Sequence, residues 1–457
     1  MEPAPASREF TIPGPLSVHV PATPGLMTAF ILEELGDWFE DEIRFVRAHL
    51  RPGMGVVDIG ANYGLYTLTC ARQVAPTGRV WAYEPGSLPR GCLARSVAAN
   101  QLTNIRLSPA ALSDHCGSAR LAIAANAELN RLDSSATHAE TVPLTTLDAE
   151  ARHWDGPVDF LKVDAEGEEV RILAGAAAFL AAHDPLMMFE YHQAEVDNLP
   201  LLEALRRQGA ELYRHLPSLN TLVPLALAPN PAFLLNLFAA RPRRAAQLAA
   251  AGALVGAPAP LPPSDPAADA ATIIAWFHQR PWAAHFPFAH GAGSNLRYTS
   301  ALADALRGED PALAADLRLA YKQRAFTALR ELVAERESLP RLLSAARLAM
   351  DLAEQPLSVD LLQQASRLSL ANRDEVAREI DEPFLPPDRQ HDTLAGEGTP
   401  AQVLAIEIDE PLLARTTYSV YYAGRKALPL LLRIAANPLR SAASERRLAA
   451  ARRLLPL

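Results

Sequence analysis

Lysine is almost missing from this chain. Of its 43 basic residues only Lys162, Lys322 and Lys426 are lysines. Together with heavy Ala and Pro usage, that skew fits a GC-rich genome, so abundant arginine is not in itself a sign of phosphate binding. Cysteine is equally scarce. Cys70, Cys92 and Cys116 are odd in number and match no CxxC or zinc spacing, which argues against a disulfide framework or zinc centre and fits a reduced, cytoplasmic setting. Positive charge is in deficit. Residues 1–250 carry 20 basic and 28 acidic groups, residues 251–457 carry 23 and 24, and the net charge is −9. Nucleic-acid binding exploits counterion release from a basic footprint that neither half supplies. Long apolar runs are lacking too: Leu222–Ala240 is broken by Pro224, Pro229, Asn230, Pro231 and Asn236, so no membrane span of about 20 apolar residues is expected. Met1–Phe10 has neither the basic start nor the apolar stretch of a secretory signal. The composition is that of a folded globular protein: 457 residues, 49% apolar and 21% charged, long enough for two or three domains.

The clearest break falls between about residues 241 and 270, where Arg241-Pro-Arg-Arg244 leads into an Ala/Gly/Leu/Pro stretch ending Pro260-Leu-Pro-Pro-Ser-Asp-Pro266. It divides the chain into a lead-in strand and helix (1–50), an α/β domain (51–244), a linker (245–270) and a mostly α-helical domain (271–457). Before the break, short apolar runs alternate with helical segments: Val56–Ile59, Val80–Tyr83, Ile105–Pro109, Val158–Val163 and Leu186–Phe189, with Leu65–Gln73 and Leu88–Asn100 as crossover helices. Continuous apolar runs suit strands buried on both faces, which predicts a parallel, doubly wound Rossmann-like sheet. Residues 27–50 read as one amphipathic helix.

After the break come long helices, Pro311–Glu337, Pro340–Gln355 and Leu357–Asn372. Tyr421–Pro438 has the Tyr, Gly, Ala and terminal Pro pattern of a tetratricopeptide-like helix pair, and residues 340–372 hint at another. No 34-residue period runs through the region, so an irregular helical bundle is the favoured reading over a peptide-binding solenoid. His278, His285 and His290, beside Trp276, Trp282, Phe286 and Phe288, are expected to pack domains together rather than to bind metal.

Ligands of an open parallel sheet bind beyond the carboxyl ends of its strands. The first strand ends Asp58-Ile-Gly60-Ala-Asn62-Tyr-Gly64, a GxxxG turn that brings backbone amides close to a ligand but lacks the dinucleotide GxGxxG spacing. The second ends in Glu84-Pro85, a carboxylate placed for a ribose diol 24 residues beyond Gly60. After the third comes Ala111-Leu-Ser-Asp114, where a side chain could meet an adenine amino group, though Ser-Asp is also ordinary turn chemistry. The fourth ends Lys162-Val-Asp164-Ala-Glu166-Gly-Glu168-Glu169. Lys162 and Asp164 share one strand face, whereas Glu168 and Glu169 are expected to open the next helix, where its dipole favours carboxylates. A lysine kept here, in a chain so rich in arginine, points to a need for a compact point charge.

These motifs, with Asn100, Asn104, Gly175-Ala176, Glu190-Tyr-His192, the lead-in Glu40 and the closing strand Asn236–Ala239, resemble the FkbM family of S-adenosylmethionine-dependent methyltransferases in order and spacing from about residue 40 to 240. The resemblance implies a seven-stranded class I methyltransferase sheet and a hydroxyl of a sugar or natural product as acceptor. It implies that Asp58, Gly60, Asn62 and Gly64 flank the methionine part of S-adenosylmethionine, Glu84 its ribose and Asp114 its adenine. Gly86–Gly91 is unusual after the Glu-Pro pair, so the ribose-side loop is expected to differ in shape.

Methyl transfer to a hydroxyl needs in-line positioning and a group to take the proton. Asp164, Glu166, Glu190 and His192 are the candidate bases, the histidine because its ordinary pKa of about 6.5 suits neutral pH; Lys162 completes the catalytic set. The same carboxylates could hold a magnesium or calcium ion, which this reading allows but does not favour. Two alternatives stand beside it: a nucleotide-dependent oxidoreductase on a similar sheet, and a non-catalytic scaffold whose helical repeats bind a protein partner. The acceptor is expected to be a small molecule or glycan, with no nucleic acid and no membrane involved.

Overall fold

The structure is a computed structural model and describes residues 6–454, apart from 24, 125–127, 129, 134, 192–197, 226–233, 287, 289–294, 371–379, 395–397 and 418. The chain forms two units: residues 1–215 with 220–254, and residues 216–219 with 255–457.

The first unit opens with a hairpin, β1 (Ser7–Ile12) and β2 (Leu16–Pro21), followed by α1 (Met27–Leu35) and α2 (Glu42–His49). Residues 27–50 are thus two helices, not one. Gly36 ends α1 with φ +73°, and its amide donates to Leu32 O. A Cβ at Gly36 would meet nothing within 4 Å. Gly36→Ala is therefore expected to cost only the left-handed backbone penalty, about 1 kcal/mol in urea unfolding; an unchanged midpoint would show that the break does not depend on this conformation. The hairpin is held by a side chain the sequence already marks: Asn100 accepts from Ser17 N–H at 2.8 Å and donates to Ser17 O at 2.6 Å. Asn104 is buried and donates to Ala71 O.

The next elements are β3 (Gly55–Ile59), α3 (Leu65–Val74), β4 (Arg79–Tyr83), α4 (Ser87–Ala99) and β5 (Ile105–Ser108). Residues 111–145 then build a second sheet from β6 (Ala111–Leu112), β7 (Gly117–Ala122), β8 (Arg131–Leu132) and β9 (Ala139–Thr145), in the order β6-β9-β7-β8. The unit continues with α5 (Leu147–Glu150), β10 (Phe160–Val163), α6 (Glu169–Ala174), α7 (Ala177–His183), β11 (Leu186–Glu190), α8 (Asn198–Arg207), β12 (Glu211–Leu216), β13 (Thr221–Pro224), β14 (Asn236–Ala240) and α9 (Pro242–Ala250). The main sheet runs β13-β12-β14-β11-β10-β3-β4-β5. It is mixed rather than purely parallel, because β14 is inserted antiparallel to both β11 and β12. The seven strands implied by the resemblance are all there, with β13 added at the edge.

Strand periodicity decides which side chains reach which layer. Val57, Ile59, Trp81, Tyr83, Leu161, Val163, Met187 and Phe189 pack on one face with α6, α7 and α8. Val56, Val80, Phe160, Met188 and Phe238 pack on the other with α2, α3 and α9. Each such side chain contributes roughly 1.5–3 kcal/mol on burial. Asp58 and Lys162 fall in the second set by parity, and they lie directly opposite each other in the β3–β10 ladder.

The second unit is helical: α10 (Pro266–His278), α11 (Leu296–Arg307), α12 (Ala315–Glu335), α13 (Leu339–Asp351) and α14 (Gln355–Leu370), followed by helices Pro400–Thr416, Leu428–Ala436 and Ala442–Leu454. Helices α10 to α14 each pack on the next in sequence. Tyr421–Pro438 does not form two full helices: Val420–Ala423 is a single turn, and Gly424 at φ +54° separates it from Leu428–Ala436. The aromatic residues after the break serve this unit's own core, where Trp282, Phe286, Phe288, Phe277 and Phe384 form one cluster; His290 lies outside the described residues. Among the described residues no helix is long and apolar enough to cross a membrane.

Candidate active site

A cavity of about 200 Å³ opens at the carboxyl ends of β3, β4, β10 and β11, where Gly60, Glu84, Asp164 and Glu190 stand side by side in its wall. A smaller space of about 70 Å³, lined by Asp58, Gly64, Tyr66 and Lys162, shares Gly60, Asn62, Glu40 and Asp164 with it.

The turn after β3 is shaped by its own amides. Gly60 and Ala61 both donate to Tyr83 O at 3.0 Å, and Gly60 at φ +76° lies so close to β10 that a Cβ would sit 1.7 Å from Asp164 O. Only glycine fits there. Asn62, at φ +48°, turns its amide to Glu84 Oε2 at 2.8 Å, while Gly86 N–H donates to Glu84 Oε1 at 2.7 Å. Glu84 is thus buried beneath the loop that follows it. Burial raises its carboxyl to about 7, and the amides of Asn62 and Gly86 and the Arg90 charge hold it from going higher. A Cβ at Gly86 would stand 2.9 Å from the Glu84 carboxylate, so this position in the loop after β4 favours glycine.

Below this turn Lys162 Nζ donates to Asp164 Oδ2 at 2.7 Å and lies 5.1 Å from the centre of the Tyr66 ring. Burial would strip its proton, but the carboxylates of Asp164, Asp58 and Glu40 outweigh that and raise its pKa. Asp58 accepts from Thr67 Oγ1 at 2.5 Å, and its other oxygen, like Asn62 Oδ1, is buried without a hydrogen-bond partner. Asp164, Glu166 and Glu190 bring carboxylate oxygens within 4.8 Å of one another. Burial first, then the neighbouring Asp164 charge and the hydrogen bond with it, raises the Glu190 carboxyl. The Lys162 ammonium, on Asp164, is the positive charge beside this group of acids.

The structure therefore gathers Asp58, Gly60, Asn62, Gly64, Glu84, Lys162, Asp164, Glu166 and Glu190 around one space. Asp114 is not among them. It points outward, half-exposed, and is bound by Arg171 at 3.0 and 3.2 Å and by His115 at 2.6 Å, contacts that hold its carboxyl well below the usual range. The cavity wall at that level is Ala110, Ala111 and Leu112 instead. His192 lies outside the described residues. Glu168 and Glu169 do open α6: Glu168 accepts from Ser113 Oγ at 2.8 Å, and Glu169 from the amides of Ala165 and Gly167.

Sequence reading gave Glu40 no role at the site and did not place Trp38, Phe39, Glu128 or Arg131 there. Glu40 accepts from Tyr66 OH at 2.7 Å and from Asn236 Nδ2 at 3.0 Å, and burial raises its pKa despite the nearby Lys162 charge. Trp38 and Phe39 line the cavity beside it, Glu128 and Arg131 come from the small sheet's region, and Glu128 caps the Met27 and Thr28 amides of α1. Glu40 did not stand out by composition, because Glu33, Glu34, Asp37, Asp41 and Glu42 surround it in the lead-in.

Comparison with known proteins gives the following. Residues 58–212 match the model of the methyltransferase FkbM domain. No curated protein matches the chain. Among solved structures, the methyltransferase FkbM from Methylobacillus flagellatus is 19% identical with a TM-score of 0.29, over 41% of this chain and 43% of that one. The ribosomal protein L11 methylase of Lactobacillus delbrueckii subsp. bulgaricus is 15% identical, over 49% and 84% of the two chains, with a TM-score of 0.27. The fibrillarin of Aeropyrum pernix, with natively bound S-adenosyl-L-methionine, is 13% identical over 52% and 84%, with a TM-score of 0.27. This chain thus spans less than half the length of the Methylobacillus protein. Residues 58–212 are a methyltransferase FkbM domain.

Proposed function

We propose that this domain binds S-adenosylmethionine across the ends of β3 and β4 and transfers its methyl group to a hydroxyl of a small acceptor, a sugar or natural product. The observation that carries the reading is the meeting, in one cavity, of the Gly60–Gly64 turn, the Glu84 carboxylate and the Asp164–Glu166–Glu190 group. The residues fit such a cofactor. Asp58 Oδ1 and Asn62 Oδ1 are buried acceptors in want of donors, which an amino-acid moiety would bring, and a buried acceptor left unpaired costs roughly 1–3 kcal/mol. Glu84 faces the same space with lone pairs left to accept from a diol, and Ala110–Leu112 offer an apolar wall for a base. When bound, the cofactor supplies the methyl group on a sulfonium. The chain's own part is to hold the two reactants in line, keep water out with Trp38 and Phe39, and receive the hydroxyl proton on the carboxylate face.

Thermal unfolding with S-adenosylhomocysteine tests the reading. At 100 times its dissociation constant a ligand adds about 2.7 kcal/mol, which at roughly 2–4 °C per kcal/mol moves the midpoint by about 5–10 °C. NAD and magnesium, run alongside, should leave it unmoved. No shift with S-adenosylhomocysteine, or a shift with NAD instead, would overturn the proposal.

A further inference from the structure

We propose that residues 411–457 present a basic surface with exposed apolar side chains that docks on an anionic lipid membrane. Counting charge by halves of the chain hides it. Residues 251–410 carry 14 basic and 23 acidic groups, whereas residues 411–457 carry nine basic groups and one acid, Glu445. A GC-rich genome explains arginine in place of lysine, but it does not remove acids.

The fold brings much of this charge to the surface. Of the nine, Arg415 and Arg447 are buried, Arg433 holds Asp409 at 3.0 and 3.1 Å, and Arg440 holds Glu445 at 2.5 Å. The other five, Arg425, Lys426, Arg446, Arg452 and Arg453, are exposed. Arg425 and Lys426 lie in the turn between Val420–Ala423 and the helix Leu428–Ala436, and both of those elements pack on Ala442–Leu454, which carries the other three. In the neighbouring helix Pro400–Thr416, Glu407, Asp409 and Glu410 are buried, so they do not stand among these cations at the surface. Apolar side chains are exposed in the same segment. Leu431 and Ile434 point into the core shared with Leu448, Ala450 and Ala451, which turns Pro429, Leu432 and Ala436 outward on the opposite side of their helix. Leu432 is 52% exposed and Tyr421, in the preceding turn, 36%; among the described residues only Leu199, Leu296 and Leu368 are other large apolar side chains so exposed.

That combination selects the partner. A nucleic-acid backbone would match the cations but leave the leucine and proline in water. The headgroup boundary of a bilayer takes both: anionic headgroups meet the guanidinium and ammonium groups, and apolar side chains enter the margin of the acyl layer. Each basic residue near such a surface strengthens binding roughly fivefold, an effect that falls off within a Debye length. Among the described residues no helix is long and apolar enough to span a bilayer, so the contact is peripheral. The expectation that no membrane is involved rests on the lack of a span and of a secretory signal, and neither excludes contact of this kind.

The test is sedimentation of the full chain with vesicles of phosphatidylcholine alone and of phosphatidylcholine with about one-third phosphatidylglycerol. At about 0.1 M salt the wild type should bind the anionic vesicles roughly tenfold or more tightly than the neutral ones, and about 1 M salt, where the Debye length is about 3 Å, should release it. The double variant Arg425→Gln/Lys426→Gln should lose roughly 25-fold in affinity for the anionic vesicles and Arg452→Gln roughly fivefold. Leu432→Ser should lose roughly fourfold with its salt dependence unchanged. Thermal midpoint and S-adenosylhomocysteine affinity should match the wild type in all three, which separates docking from folding and from the methyl-transfer site. A folded wild type that ignores anionic vesicles, binds neutral ones equally well, or keeps its affinity in both charge variants would overturn the proposal. Binding to a duplex RNA that survives Leu432→Ser, without binding to vesicles, would overturn it too and assign the surface to nucleic acid.

Discussion

Replacing Glu84 with alanine should weaken S-adenosylhomocysteine binding by roughly 100-fold or more. A carboxylate receiving two hydroxyls forms two charge-assisted bonds worth about 1.5–3 kcal/mol each, and about 1.4 kcal/mol is a factor of ten in affinity. The lower end of that range already reaches 100-fold. The structure adds a second loss. Glu84 also ties down the amides of Asn62 and Gly86, so the alanine variant loosens the turn on the methionine side as well as the ribose side. Its pH dependence follows from burial, which raises the Glu84 carboxyl from 4.5 to about 7 in the folded protein. A carboxyl raised on folding stabilises relatively below its unfolded pKa, and that advantage is lost as pH rises from about 4.5 through 7. Donors from a bound ribose favour the ionised form, so wild-type affinity should increase between pH 6 and pH 8, with proton release on binding. Titration calorimetry at both pH values measures both effects. Affinity within about threefold of wild type in Glu84→Ala would remove Glu84 from the cofactor site.

How far such a site can be read from sequence depends on the range of the interactions that build it. The Gly60–Gly64 turn and Glu84 were legible because local backbone geometry demands them: Gly60 has a backbone oxygen where a Cβ would stand, and an acid ending an apolar strand has few other uses. Lys162 and Asp164 were legible because strand parity alone puts them on one face. The direction of Asp114 was not, since it depends on Arg171, 57 residues away, whose guanidinium draws it outward. Nor was the antiparallel insertion of β14, a pairing chosen by tertiary packing between β11 and β12 rather than by any pattern within Asn236–Ala240. Residues 117–145 lack the long apolar runs of the main sheet. Among the described residues their strands cover a small core of Ala111, Leu121, Val142 and Leu144, with Ala119, Ile123 and Leu132 packed against it, too small to stand out from a polar loop. The break at Gly36 was visible as a glycine, but the apolar spacing on both sides continued across it.

Lys162 offers the sharpest separation of structural from chemical roles. Its ammonium is buried between Asp164 at 2.7 Å and Asp58, its ladder neighbour on β3, with Glu40 also within its field. Asp58 has only Thr67 as a further partner. Lys162→Met keeps much of the apolar stem and removes the charge, leaving carboxylates buried without a counter-ion, a change that typically costs about 3–5 kcal/mol. The cost should depend on pH in a defined sense. Without the lysine, Asp58, Asp164 and Glu40 are pushed upward and hold protons in the folded state to higher pH, so the variant gains relative stability as pH falls and loses it as pH rises through those values. Urea unfolding should therefore show a small deficit near pH 5 and one of about 3–5 kcal/mol near pH 8. An equal deficit at both would mean that lost packing, not charge, is responsible, and no deficit would mean that the carboxylates are neutral in the native protein. Arginine should not substitute. Lys162 Nζ donates to Asp164 Oδ2 at 2.7 Å and lies 5.1 Å from the centre of the Tyr66 ring, contacts of a compact ammonium that a planar, forked guanidinium would have to remake in a different geometry. Recovery of wild-type stability in Lys162→Arg at pH 8 would show that the site needs a positive charge but not a compact one.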